Sequence, residues 1–303
     1  MTIQAASLTA LTPDEAVATA SAILDAGYEG IILENPIHQD AWRALLPLLP
    51  RESVKAMQLF LPCPRGQQPG STSPYEVATE NPRSREGMLR QARKTLEAAD
   101  QVGSPIILLP VTQLNEPGLS WNYRPPTVAP DPSEQQQRAA SEEAHQRRDS
   151  LLILLSQLLE HAERYALTIC LTPSNRSGEL PIAEEALACM REFEGAALGL
   201  WLDTTRLPTE FLRVPRIAEP KMETREEDWL STVQGAFLHD QGPVRDSCAP
   251  GQGNVPWELI SSALQNLPIW SVPANHYDTL ADGLHFMAGL REKPEEPDGL
   301  LGS

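Results

Sequence analysis

The chain has 303 residues, with 41 acidic against 24 basic side chains, 41% hydrophobic residues and 5% aromatics. That length suits one large domain or two ordinary ones, and the hydrophobic fraction excludes a wholly disordered or fibrous chain. The net charge of −17 opposes nucleic acid as a partner, because phosphate contacts need clustered Lys or Arg, and no stretch approaches the run of about 20 apolar residues that a membrane span requires.

The opening MTIQAASLTALTPDE lacks the basic start and continuous apolar stretch of an export signal, which predicts a cytoplasmic protein. A weak strand is expected near Ile3 to Leu8. Thr12-Pro13-Asp14-Glu15 carries a helix start signal, with Thr at the N-cap, Pro at the first helical position and Glu where a capping box wants it. The helix runs to about Ala26, Gly27 ends it, and Tyr28 to Leu33 (YEGIIL) is a compact buried strand. A helix around Gln39 to Leu49, ended by Pro50, precedes a strand from Val54 to Leu61. From Ser84 to Val102, Met88, Ala92, Leu96 and Ala99 recur every three or four positions, the mark of an amphipathic helix. Pro105 to Pro110 (PIILLP) is the next strand.

Val111 to about Ser133 is rich in Pro and Asn, contains Trp121, Tyr123 and Arg124, and reads as an extended loop. The polar SEQQQRAASEEAHQRRD then leads into the Leu-rich LLILLSQLLEHAERYA as one helix with an exposed front and a buried rear. The rhythm continues with a strand at Leu167 to Thr172, a helix near Ala183 to Phe193, and a strand at Leu198 to Asp203. A helix near Thr224 to Gln234, a strand at Ala236 to Asp240 and a helix from about Pro256 to Leu267 come next. A strand at Ile269 to Pro273 and a helix over about Tyr277 to Leu290 complete the series, and the charged, Pro-rich tail is expected to fray. Cys63, Cys170, Cys189 and Cys248 are scattered without a CxxC pair and read as separate reduced thiols.

Eight strands alternating with eight helices predict parallel pairing through crossovers and hence a (β/α)8 TIM barrel over 1–291. Long loops are expected near 62–83 and 111–133, with a flexible tail over 292–303. An open doubly wound sheet is the alternative, but no GxGxxG follows the first strand.

In such a barrel the chemistry belongs at the C-terminal strand ends. Strand two ends in Glu34-Asn35-Pro36, strand three in Cys63, and strand five in Thr172-Pro173-Ser174-Asn175. Strand six ends in Asp203-Thr204-Thr205-Arg206, strand seven in His239-Asp240-Gln241, and strand eight in Pro273-Ala274-Asn275-His276. None of these is lysine, which excludes a Schiff-base aldolase. Asp203 and His239 form the sharpest constellation: a carboxylate and an imidazole on successive strands can share a divalent ion, or Asp203 can cap the following turn while His239 hydrogen-bonds in the barrel mouth. Asp240 can bind substrate or hold loop N–H groups. Trp121 and Arg124 offer an aromatic face and a guanidinium to a sugar ring or an anion, or else belong to a packed insertion. Pro250-Gly251-Gln252-Gly253 can turn tightly into the next helix or expose N–H groups to a ligand.

AGYEGIIL, EAADQVGSPIILLP, LLEHAERYALTICLTPSN, LGLWLD, and AFLHDQ followed by PGQGNVPW, in this order, resemble the sugar phosphate isomerase/epimerase superfamily of xylose isomerase-like TIM barrels. The resemblance spans roughly Leu11 to Leu290. It implies a divalent metal (Zn, Mn or Mg) held by Glu, Asp, His and Glu from the later strand ends, with the glutamates moving protons between adjacent sugar carbons. Position by position, the Asp of LGLWLD is Asp203 and the strand-seven His is His239. The strand-five Glu aligns with Thr172, however, the His three residues after the Asp is Arg206, and the last-strand Glu falls at or beside Pro273.

Two ligands rarely hold a catalytic ion, for which about three protein ligands is usual. Asp203 and His239 are thus metal ligands only if a metal is retained; otherwise no cofactor is expected, and an Asp203–Arg206 ion pair supplies the positive charge. Two functions follow. In one, the chain is an isomerase or epimerase of a small sugar or polyol, with His239 as general acid/base, Asp203 orienting it, and Arg206 or Arg124 holding substrate. In the other, the barrel has lost that chemistry and serves as a ligand- or protein-binding module. The expected partner is a small sugar-like ligand, with neither nucleic acid nor membrane; association into a homo-oligomer stays open.

Overall fold

Eight short apolar strands close into a ring in the computed structural model, whose described residues are 2–10, 12–62, 82–109, 112–113, 149, 151–174, 179–206, 230–241, 247–274 and 280–292. In chain order the strands are β1 (Ile3–Ala10), β2 (Gly30–Ile37), β3 (Val54–Gln58), β4 (Ile106–Leu109), β5 (Thr168–Leu171), β6 (Leu198–Asp203), β7 (Val233–Phe237) and β8 (Ile269–Pro273). Each pairs in parallel with its neighbours in sequence, and β1 pairs with both β2 and β8, so the ring has no open edge. The described helices are α1 (Pro13–Asp25), α2 (Gln39–Leu45), α3 (Pro82–Val102), α4 (151–164), α5 (Ala183–Glu192), α6 (Trp257–Gln265) and α7 (Leu280–Glu292). The (β/α)8 barrel expected from the alternation is the architecture observed. Among the described residues no helix is long and apolar enough to cross a membrane.

Side-chain parity divides the barrel into two apolar compartments. Ala5, Ile32, Ala56, Ile106, Leu108, Cys170, Trp201, Phe237 and Ile269 come from all eight strands and form a cluster of their own, which is the lumen. Intervening residues such as Leu8, Ile31, Leu33, Ile107, Leu200 and Leu202 point outward into a larger core with Ile23, Leu96, Leu158 and Leu264 of the helices. Each fully buried Leu or Ile there contributes about 1.5–3 kcal/mol. Continuing the inward parity by two residues brings Ser7, Glu34, Thr172, Asp203 and His239 to the C-terminal mouth.

Local signals explain most element ends. Thr12 caps α1, accepting a hydrogen bond from Glu15 N at 3.3 Å, and Pro13 opens the helix. The second helix stops at Leu45 rather than continuing to Leu49, because Pro47 has no N–H to sustain the ladder. β3 stops at Gln58 rather than Leu61, where Phe60 turns to a φ of 71°.

The segment between β6 and β7 departs most from expectation. Leu230–Thr232 is a single 3-10 turn, and Val233 and Gln234 belong to β7 rather than to a helix. The strand expected at Ala236 to Asp240 therefore starts and ends three residues earlier. Tertiary pairing overrides the local pattern there: Gly235 lies opposite Trp201 and Phe237 opposite Asp203 across the β6–β7 ladder. The predicted loop residues 63–81 and 114–133, the polar front of the fourth helix and the tail from 293 lie outside the described residues.

Gly235 is also where the lumen accommodates its largest side chain. A Cβ at this position would lie 2.5 and 2.6 Å from ring carbons of the fully buried Trp201 and 2.9 Å from the Ile269 carbonyl oxygen. Gly235→Ala is expected to destabilise the barrel by about 1–3 kcal/mol through overpacking, measured as a lower urea midpoint with an unchanged slope.

Candidate functional site at the barrel mouth

Asp203 ends β6 with inward parity and is 4% exposed, so its carboxylate requires partners within the protein. Oδ1 accepts hydrogen bonds from the Thr205 backbone N at 3.0 Å and from the Thr205 hydroxyl at 2.8 Å. Oδ2 accepts from Arg206 Nε at 3.0 Å and faces His239 Nδ1 at 3.3 Å. A turn closed by Arg206 N donating to the Asp203 carbonyl returns the guanidinium to its carboxylate. Asp203 therefore caps its turn and pairs with His239 at once. Burial alone would push its carboxyl up; His239, by charge and hydrogen bond, then Arg206 and Thr205, overcome this and hold it well below the usual carboxylate range.

His239 stands two residues beyond β7 on an aromatic support. Its ring stacks on Phe237 with centroids 5.3 Å apart at 7°, and Trp201 meets Phe237 edge-on at 5.4 Å and 62°. The Thr204 hydroxyl accepts from His239 N at 2.9 Å and donates to the His239 carbonyl, tying the ends of β6 and β7 together. Burial disfavours the imidazolium, but the charge and hydrogen bond of Asp203, aided by the charge of Glu34, prevail and raise its pKa above the ordinary value. With Nδ1 turned to Asp203, Nε2 lies on the far edge of the ring.

Glu34 completes the cluster from the other side. It continues the inward parity of Ile32 on β2 and hydrogen-bonds Ser7 of β1. Burial is the largest influence on its carboxyl and pushes it up, against His239, Ser7 and Arg206, which favour the charged form; the Asp203 charge pushes it further up. In the sequence Glu34 is visible only as a residue at a strand end, with no spacing that ties it to Asp203. Its parity with Ile32 is the signal that places it in the mouth.

Asp240 is engaged elsewhere. Its Oδ2 accepts from Gly251 N at 2.9 Å, Gly253 N at 3.0 Å and Trp257 Nε1 at 2.9 Å, while Oδ1 accepts from Val255 N at 2.8 Å. The fully buried Asp240 is thus the acceptor around which the Pro250–Gly253 turn folds into α6, and its geometry is that of the loop-holding alternative rather than of a substrate contact. The same bonds commit the Gly251 and Gly253 N–H groups to protein, so the turn reads as structural. Trp121, Tyr123, Arg124, Cys63, Asn175, Asn275 and His276 lie outside the described residues.

Among the described residues, the donors at the mouth do not suit a divalent ion as they are placed. Both Asp203 oxygens already accept hydrogen bonds, and the Arg206 guanidinium lies against Oδ2, where a second cation would be repelled. Thr172 is buried and cannot ionise, and the Pro273 side chain has no donor atom. Among the described residues no group of three or more His, Cys, Asp or Glu side chains is placed to hold a metal.

The pKa shifts have opposite consequences for stability. The depressed value of Asp203 gives stability that is present above its unfolded value near 4 and lost as pH falls through the folded one. The raised value of His239 gives stability that is present below its unfolded value of about 6.5 and lost as pH rises through the folded one. Asp203→Asn should therefore cost most between about pH 4 and pH 6.5, on the order of 3 kcal/mol, as expected for breaking a buried pair. The same substitution leaves burial dominant at His239, so its pKa should fall below about 6.5. Urea unfolding across that range and NMR titration of the imidazole check the two outcomes.

No protein-family model matches the sequence, and no curated protein matches it at the level required for significance. Solved structures do match the fold. A 3-keto-D-glucoside 4-epimerase from E. coli is 16% identical with a TM-score of 0.59, covering 96% of this chain and 99% of that one. A xylose isomerase domain protein from Planctomyces limnophilus is 15% identical with a TM-score of 0.57, covering 96% and 98%. A D-allulose 3-epimerase from Methylomonas sp. is 13% identical with a TM-score of 0.59, covering 95% and 98%. The resemblance read from the motifs thus holds in three dimensions along nearly the whole chain, and the fold is that of the xylose isomerase-like TIM barrels.

Proposed function

We propose that this chain is an enzyme that isomerises or epimerises a small sugar or polyol at the C-terminal mouth of the barrel, with the Asp203–Arg206 pair in place of a divalent cation. The observation that carries this reading is the His239–Asp203–Arg206 cluster, at the barrel end where chemistry occurs in this architecture. His239 is the general acid/base, working through Nε2, while Asp203 orients Nδ1 and balances the imidazolium charge. Arg206, whose side chain is 26% exposed, offers positive charge to a substrate oxygen as negative charge develops there. Trp121 and Arg124 are the further substrate contacts of this reading.

Two observations support a polyhydroxylated ligand. The similar solved structures include proteins described as sugar epimerases. Beneath the cluster, the Ser271 hydroxyl is fully buried in the lumen without a hydrogen-bond partner, and a ligand hydroxyl or a water is the natural complement of such a group.

A thermal-shift screen of sugars, sugar phosphates and the ions of zinc, manganese and magnesium tests the proposal. A sugar should raise the melting temperature by a few degrees at concentrations of about 100 Kd, and the ions should leave it unchanged. His239→Ala should lower turnover of the stabilising sugar by about 10²- to 10⁴-fold. A stoichiometric ion in the purified protein, with stabilisation by added metal, would overturn the replacement of the cation. Absence of both sugar response and turnover would favour the non-catalytic binding module.

A further inference from the structure

The geometry points to Glu34 and His239 as an opposed acid/base pair that reaches one substrate carbon from its two faces, which makes the reaction an epimerisation. This deepens the sugar-enzyme reading above and rests on it. The ring order carries the argument. Between β2, which bears Glu34, and β6, which bears Asp203, lie three strands in either direction, so the two are diametrically opposite in the eight-membered ring. Asp203 fixes His239 on its own side of the mouth at 3.3 Å, and Ser7 of β1 holds Glu34 on the other. Both side chains have inward parity at the same barrel end, above the lumen residues Ile32 and Phe237. Each carries a charge that the other senses across the opening. A small ligand seated between them presents one face to the carboxyl and the other to the imidazole.

Burial favours the neutral Glu34 carboxyl and Asp203 sustains the His239 imidazolium, so both groups are pushed toward their protonated forms. Their placement on opposite sides of the mouth, rather than a difference between those shifts, divides the roles. In the forward direction ionised Glu34 takes the proton from the carbon beside the substrate carbonyl. The C–H electron pair becomes the C=C bond of an enolate and the carbonyl π pair moves to oxygen, beside the guanidinium charge of Arg206. Imidazolium His239 then gives its proton to the opposite face of the same carbon as the carbonyl re-forms. One C–H bond breaks and one forms, nothing is oxidised or reduced, and a proton has passed from His239 to the substrate while another has passed to Glu34. The reverse reaction uses neutral His239 as base and protonated Glu34 as acid.

The test uses the full chain in D2O with two epimeric ketohexose pairs as probes, D-fructose with D-allulose and D-tagatose with D-sorbose, followed by NMR. The wild-type protein should interconvert at least one pair and introduce solvent deuterium beside the carbonyl of both members. Glu34→Gln, which keeps the shape and a hydrogen-bonding group for Ser7, should slow interconversion by about 100-fold or more. It should still exchange the one epimer whose C–H faces His239, and His239→Gln should show the complementary preference. A merely structural role would slow exchange of both epimers together. Interconversion by Glu34→Gln at the wild-type rate, or equal loss of exchange from both epimers in a variant with the wild-type circular dichroism and melting temperature, would overturn the pair while leaving the sugar-enzyme reading in place. Failure of the wild-type protein to exchange any of the four sugars would overturn that reading and the pair with it.

Discussion

Closure of the ring imposes the constraint from which the site follows. Once β1 is bonded to both β2 and β8, every strand residue faces either the lumen or the helices, and a slip of one residue exchanges the two. On β6 the slip would bring Leu202 into the lumen and send Asp203 toward the helix layer, away from His239. The apolar pattern forbids it, because Leu200 and Leu202 belong to the outer core and Trp201 to the inner cluster. The register of the polar mouth is thus enforced by hydrophobic burial farther down the same strands.

A buried carboxylate then organises the charges around it. Asp203 cannot be left unpaired at the end of β6 without a penalty of several kcal/mol, and its four hydrogen-bonding contacts come from Thr205, Arg206 and His239. The Arg206 pairing follows from sequence proximity through one tight turn. The His239 pairing depends on packing, because Phe237 fixes the plane of the ring and Thr204 fixes its backbone. Asp240, the next residue, is fully buried and points into the following loop. Two adjacent residues therefore face different surroundings, the barrel mouth and the following loop, and the partners each finds make the distinction.

What could be read from the sequence depended on whether the signal was local. LGLWLD and IWSVP are continuous apolar runs flanked by turn residues, and the expected bounds of β6 and β8 match the observed ones. The helix start at Thr12 was equally legible, because a cap is a contact over three residues. β7 was read three residues late, since Val233 and Gln234 look neutral until Gly235 is seen to admit Trp201. The Asp203–Arg206 pair was legible from spacing within one turn. The Glu34 placement opposite it was not, because strands two and six become opposite only when the ring closes. Asp240 was ambiguous for a related reason: the donors to its carboxylate from Gly251, Gly253, Val255 and Trp257 lie between 11 and 17 residues downstream.

In the proposed reading a guanidinium stands where a cation would, and this alters what the remaining groups must do. A divalent ion brings two positive charges, can bind two substrate oxygens at once and acidifies what it binds. A guanidinium brings a single charge spread over a planar fork, tethered to its own backbone and always protonated. Here part of that charge is already committed to Asp203 through Nε, so less is left for a developing oxyanion. An enolate at this mouth would be less stabilised than at a metal, and proton transfer would have to carry a larger share of the catalysis. A site of this kind benefits from an acid already protonated at neutral pH and a base free of a firmly bound proton. Asp203 sustains the imidazolium and so serves the first requirement, whereas the limited solvation of Glu34 favours its neutral form and works against the second, leaving a carboxylate that is the stronger base once ionised.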